Sequence, residues 1–216
     1  LLLNLSLVSG GFICAKDTGG EKDNDPLPDA RPLNISFRLS MSGGMLYYYE
    51  DLYVSGDSCY YLINDGGAIS KIHFTISPER LDKLYEVFKE NDFAGIKTYD
   101  EKVYDRGGET ISLGWGKGKY ASVSNSGVTF IRDSWRGEWS ACGNALGKIV
   151  EEEVNKQKRD FEIRVDKSLF GKEIYIQLNR ETVIPKSAVM SENGMDEYIS
   201  RTVKLIPGSH MLSFYV

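Results

Sequence analysis

Ile35, Phe37, Leu39 and Met41 alternate with Ser36, Arg38 and Ser40, a period of two that predicts a strand with one face on a core. Gly43 and Gly44 break the pattern, and residues 45–54 predict a second strand. Residues 59–63 and 68–76 flank Asn64, Asp65, Gly66 and Gly67. That grouping predicts a hairpin, because Asn, Asp and Gly accept positive φ. Leu81, Leu84, Tyr85 and Phe88 then recur at helical spacing. Ser77 is placed to cap this helix, Pro78 suits its first turn, and it is expected to stop near Asn91.

Residues 110–113 and 120–123 alternate around 116–119 and predict a second hairpin. A second helix is expected to start near Asp133 or Ser134, either of which suits its cap. Its apolar stripe is Trp135, Trp139, Cys142, Leu146, Ile149, Val150 and Val154, and Gly143 and Gly147 are expected to let it lie close to a sheet. Its charged end, residues 151–159, reads as a solvated helix end with Glu152 and Lys156 four apart. From Phe161 the texture changes: residues 161–165, 173–178, 202–206 and 211–216 read as strands with no helix between them. The expected fold is α+β: a mixed antiparallel sheet with two helices over residues 33–159, then a small β-sandwich module over 160–216.

Residues 1–13 form an apolar run, interrupted by Asn4, Ser6, Ser9, Gly10 and Gly11. A membrane-spanning helix needs about 20 apolar residues, so the length suits a signal-peptide core. No initiating Met or basic segment precedes the run, and the sequence is expected to begin inside a precursor. Cys14 ends it. Residues 15–32 are polar, acidic and rich in turn formers, with Pro26, Pro28 and Pro32 in the second half. Such a tract buries too little apolar area to offset its ordering entropy, and reads as a disordered tether. Asp17, Glu21, Asp23 and Asp25 lack the glycine turn and final bidentate Glu of a calcium loop.

An apolar run closed by a cysteine and followed by a polar tether resembles the start of a bacterial lipoprotein. That resemblance implies lipid modification at Cys14 and a membrane partner through the anchor. Gly11 and Ile13 stand where such signals usually have a Leu-like and a small residue. A cut after Ala15, releasing a secreted chain, is the alternative. At the other end, Pro207, Gly208 and His210 precede an apolar strand, which resembles the last hairpin of PEGA-like modules. The middle region loosely resembles uncharacterised domains of exported bacterial lipoproteins, with their order of hairpin, helix, hairpin, helix.

The formal net charge of −5 removes the positive footprint that a nucleic-acid binder needs. Of the three cysteines, Cys59 and Cys142 remain if Cys14 takes lipid. They form either one disulfide or two separate buried thiols. No cysteine pair has short ligand spacing, and His73 and His210 are the only histidines, so neither zinc nor another cofactor is expected. The glycines at 114, 116 and 118, with Lys117 and Lys119, lack P-loop spacing.

No catalytic constellation stands out. Neither histidine accompanies a nucleophile motif, and the loop acids Asp100, Glu101, Asp105 and Glu109 carry no set separation. Aromatics are the best candidates for ligand contact: Tyr47 and Tyr49 on one strand face, Trp135 on the second helix, and Trp115 beside glycines at a turn. The expected function is that of an exported, lipid-anchored cell-envelope protein of binding or structural type, meeting an envelope protein or a glycan. The alternatives are an envelope hydrolase acting on peptidoglycan or glycan, and an inhibitor or assembly factor for another envelope protein.

Overall fold

In the computed structural model the first alternating stretch is strand β1 (Ser36–Ser42). The structure describes residues 26–45, 47–103, 106–116, 118–166, 173–179, 181–188 and 198–215. Cys14, the apolar run before it and the acidic tract to Asp25 lie outside the described residues, as does Lys117. After β1 come β2 (Tyr48–Ser55), β3 (Cys59–Asp65), β4 (Ala68–Phe74), α1 (Pro78–Glu90), β5 (Thr98–Asp100), β6 (Gly108–Trp115), β7 (Lys119–Ser126), β8 (Thr129–Ile131) and α2 (Arg136–Gln157). Strands β9 (Arg159–Asp166), β10 (Glu173–Leu178), β11 (Glu181–Ala188), β12 (Tyr198–Leu205) and β13 (Leu212–Tyr215) follow.

The fold is α+β. Its centre is a six-stranded antiparallel sheet in the order β4-β3-β2-β1-β6-β7. β5 and β8 pair separately. Alternation sends Phe37, Leu39, Leu52, Val54, Cys59, Tyr61, Ile72, Ile111, Leu113 and Val123 into the core. Both helices cover that face. α1 contributes Leu81, Leu84, Tyr85 and Phe88, and α2 contributes Trp139, Cys142, Leu146 and Ile149. Phe37 and Phe88 meet edge to face with ring centroids 4.8 Å apart, a favoured aromatic geometry.

Local chemistry explains the element ends. Ser77 caps α1 by accepting the Arg80 N–H at 3.3 Å, and Pro78 opens the helix. Gly66 and Gly67 turn the β3–β4 hairpin at φ of 61° and 95°, a conformation that side chains with a Cβ resist.

Four expectations need correction. α2 starts at Arg136, after a 3-10 turn at Asp133–Trp135, so neither Asp133 nor Ser134 caps it. Glu153 is not part of a solvated end: it is buried and ion-paired to Arg80 of α1 at 2.8 Å and to Lys156 at 2.7 Å. Gly147 has open space before it and Gly143 meets Ile111 only at ordinary contact distance, so the glycines line a groove instead of a close helix–sheet contact. The last part of the expected tether, residues 26–32, is packed on α1: Tyr85 donates to the Pro28 carbonyl at 2.6 Å, Lys89 pairs with Asp29 at 2.9 Å, and Arg31 pairs with Asp82.

After α2 the strands form two small antiparallel sheets, β11-β10-β13 and β12-β9. Their segment between β12 and β13 docks on the large sheet. Ile206 joins the main core, the Ser209 N–H donates to the Ile69 carbonyl at 2.9 Å, and Ser70 Oγ donates to the Ser209 carbonyl at 3.1 Å.

Candidate functional site

Helices cover one face of the large sheet, and the other face meets solvent. Strand register arranges its side chains in rows. One row runs His73, Tyr60, Tyr53, Arg38, Ser112 and Ser122 across all six strands. The next runs Lys71, Leu62, Asp51, Ser40, Thr110 and Ser124. The face therefore has an aromatic half on β4, β3 and β2, bordered by Lys71 of β4 and Arg38 of β1, and a hydroxyl half on β1, β6 and β7.

Asp51 organises the first half. It is only 4% exposed although it stands on the solvent side. Arg38 grips it through both oxygens: Nε donates to Oδ1 at 2.7 Å and Nη2 to Oδ2 at 3.1 Å. Ser40 Oγ donates to Oδ1 at 3.2 Å, and the Tyr60 hydroxyl to Oδ2 at 2.8 Å. Each carboxylate oxygen thus accepts two hydrogen bonds, which fills its capacity. The hydrogen bond to Asp51 holds Arg38 above its ordinary pKa. Burial, helped by the Asp51 carboxylate, pushes the Tyr60 hydroxyl up to about 12, so it stays a proton donor.

The rings extend this network. Tyr53 and Tyr60 lie 5.6 Å apart between centroids at an interplanar angle of 20°, and the His73 ring is 6.3 Å beyond Tyr60. Lys71 Nζ sits 4.2 Å from the Tyr60 ring centre, within cation–π range. Arg38 Nη2 is 3.5 Å from the Tyr49 hydroxyl. On the other half, Thr110 pairs with Ser124 at 3.0 Å and Ser112 with Ser122 at 2.9 Å.

Of the aromatics expected to contact a ligand, Tyr49 belongs to this face and is 37% exposed. Tyr47 is exposed just before β2, where its carbonyl accepts the Gly66 N–H. Trp115 is a correction: it is 3% exposed and packs in the core. Its parity with Ile111 and Leu113 puts it on the helix-covered face, and that alternation outweighs its glycine neighbours. Trp135 is half-buried against the core at the start of α2. Cys59 and Cys142 are both buried free thiols, so the two are not joined. Burial, with Glu138 nearby, pushes the Cys142 thiol up to about 12.

Arg38, Asp51, Tyr53, Tyr60 and Lys71 carry the site and were not singled out as a set by the sequence. The signal lay in strand parity, which places each on one face, but only the register shows that they are neighbours. His73 is on this face beside Tyr60. His210 is not: its Nδ1 meets Asn179 Nδ2 at 2.8 Å and its Nε2 meets the Ile206 carbonyl at 2.7 Å, so both ring nitrogens hold a turn.

Two concavities lie elsewhere. A cleft of about 590 Å³ is lined by Tyr61, Ile63, Val154, Leu178, Val203 and Lys204, among others. A groove of about 620 Å³ lies between α2 and the sheet, with Leu39, Met41, Trp139, Gly143 and Gly147 in its walls. Among the described residues no three His, Cys, Asp or Glu side chains converge as metal ligands, and no helix is long and apolar enough to cross a membrane. No protein-family model, curated protein or solved structure matches this chain.

Proposed function

We propose that this chain is an exported, lipid-anchored cell-envelope protein of the binding type, with the open face of the six-stranded sheet as its working surface. The observation that carries this is the Arg38–Asp51–Tyr60 network, a polar and aromatic array fixed in place on a solvent-facing side. Ordered side chains cost less entropy to engage, so such an array is pre-organised for a ligand.

Two further features support the reading. The apolar run before Cys14 and the acidic tract after it suit an anchor and its tether. The chain arriving from that side is held on α1 by Tyr85, Lys89 and Asp82, within the helix layer, which leaves the opposite face to a partner. Binding is favoured over hydrolysis because Asp51, the one acid among the described paired positions of this face, already accepts four hydrogen bonds and has no lone pair left for a water or a substrate proton.

Intact mass of the protein made from its full gene tests the anchor. A lipid-sized increment on a chain beginning at Cys14 is expected, and an unlipidated chain beginning at Lys16 overturns the anchor. Retention on washed envelopes of a chain beginning at Lys16, added from outside, tests the face alone, since neither lipid nor the apolar run then holds it. Retention is expected, together with its loss on adding Tyr53→Ala and Lys71→Ala. Retention unchanged by these two substitutions overturns the assignment of the face.

A further inference from the structure

The paired positions of the open face have the wrong composition for a protein partner. Interface cores are apolar and depleted in Ser and Lys. Here only Leu62 and Ile69 are aliphatic, whereas Ser36, Ser40, Ser42, Thr110, Ser112, Ser122, Ser124 and Ser126 supply hydroxyls. Each hydroxyl has one donor and two acceptor sites, so the mutual bonds at Thr110–Ser124 and Ser112–Ser122 leave capacity for a polyhydroxylated ligand.

Charge narrows the class. Asp51 is the only acid among these positions, and Arg38 neutralises it. Lys71 is exposed over the Tyr60 ring, and the Arg38 side chain is 50% exposed. Arg38 uses Nε and Nη2 on Asp51 and Tyr49, and Nη1 has no hydrogen-bond partner among the described residues. With Arg38 offset by Asp51, the paired positions carry one net positive charge, at Lys71, within a chain of net charge −5.

Resting on the reading of this face as the binding surface, we propose that the row His73–Tyr60–Tyr53–Arg38 is the track of an acidic glycan bearing carboxylates. The C–H faces of its sugar rings pack against the Tyr53–Tyr60 pair, which removes apolar surface from water while the ring hydroxyls stay hydrogen-bonded. Its carboxylates meet Arg38 Nη1 and Lys71 Nζ, both charge-assisted contacts. Strands lie ~4.8 Å apart, so the four residues of the row span roughly 14 Å, room for more than one sugar ring.

The probe is polygalacturonate, titrated into the full chain. Its methyl ester, the same sugar without the charge, and an oligothymidylate are the comparison ligands. Polygalacturonate is expected to bind, with the methyl ester about tenfold weaker and the oligothymidylate not bound. Tyr53→Ala and Lys71→Gln are each expected to weaken binding by about tenfold, while Lys83→Gln on α1 leaves it unchanged. Lys71→Gln alters an exposed side chain and serves where Tyr53→Ala lowers stability. Equal binding of the methyl ester overturns the acidic assignment, and tighter binding of oligothymidylate overturns the glycan. Absence of polygalacturonate binding in a chain still retained on envelopes through Tyr53 and Lys71 overturns this inference alone. Absence of both overturns the reading of the face as well.

Discussion

Arg38 and Asp51 form a two-pronged ion pair on the solvent side of the sheet, yet the Asp51 side chain is only 6% exposed while Arg38 is 50% exposed. The pair is sheltered on its acidic side alone. Removing the charge strands donors that have no other carboxylate on that face. Asp51→Asn is expected to lower the unfolding free energy by about 1–3 kcal/mol, less than a wholly buried pair would lose. Tyr60→Phe, which deletes one of the four bonds, is expected to cost about 1 kcal/mol. Urea denaturation of both variants checks the order.

Cys59 and Cys142 are expected to resist a thiol reagent at neutral pH in the folded protein. Burial raises both pKa values, and only the thiolate attacks. In urea without reductant, both are expected to label, as peptide mapping by mass would show. A pair that stays unlabelled until reduced would contradict the free-thiol state.

Glu153 links acid stability to the contact between the helices. Burial pushes its carboxyl up, but the hydrogen bonds and charges of Lys156 and Arg80 outweigh this and leave its pKa below the ordinary value. The unfolded chain therefore binds this proton more readily. The stabilisation is present above the ordinary carboxylate value, about 4.3, and is lost as pH falls through the lower folded value. Glu153→Gln is expected to be less stable at neutral pH and to lose less on acidification. Thermal midpoints recorded from neutral pH down to about pH 3 would show the shallower slope.

Gly208 is expected to tolerate no side chain. Its φ is 144°, and an added Cβ would come within 2.6 Å of Ser70 Cα. Gly208→Ala must lift the turn off β4 and break the bond from the Ser209 N–H to the Ile69 carbonyl. A loss of about 1–3 kcal/mol is expected. Hydrogen exchange at the Ser209 amide would rise with it.

Much of the large sheet and its two helices was legible because the signals are local. Alternation at residues 35–41 marked β1, the Asn-Asp-Gly-Gly tract marked the β3–β4 turn, and Ser77-Pro78 marked the start of α1. Strand β11 lies outside the alternating segments read from the sequence, and it carries Pro185, a residue seldom found inside a strand. Trp115 was misjudged because its glycine neighbours suggested a tip, while its parity with Ile111 and Leu113 pointed inward. The candidate site was the least legible part. Tyr53 meets Tyr60 and Arg38 only through the pairing of three strands, and Arg80 finds Glu153 across 73 residues of chain. One sequence read along its length holds the parity of each residue but not the partner that register brings beside it.

The docking of the segment after β12 has a consequence for self-association. β4 ends the large sheet, and a terminal strand exposes a row of backbone groups able to template another chain. Two of its outward carbonyls are already taken: Ile69 by the Ser209 N–H, and His73 by Gln157 Nε2 at 3.1 Å. The segment between β12 and β13 and the last residue of α2 thus act as an edge guard. A chain in which they come away would offer β4 to its neighbours as a seed for sheet-to-sheet growth.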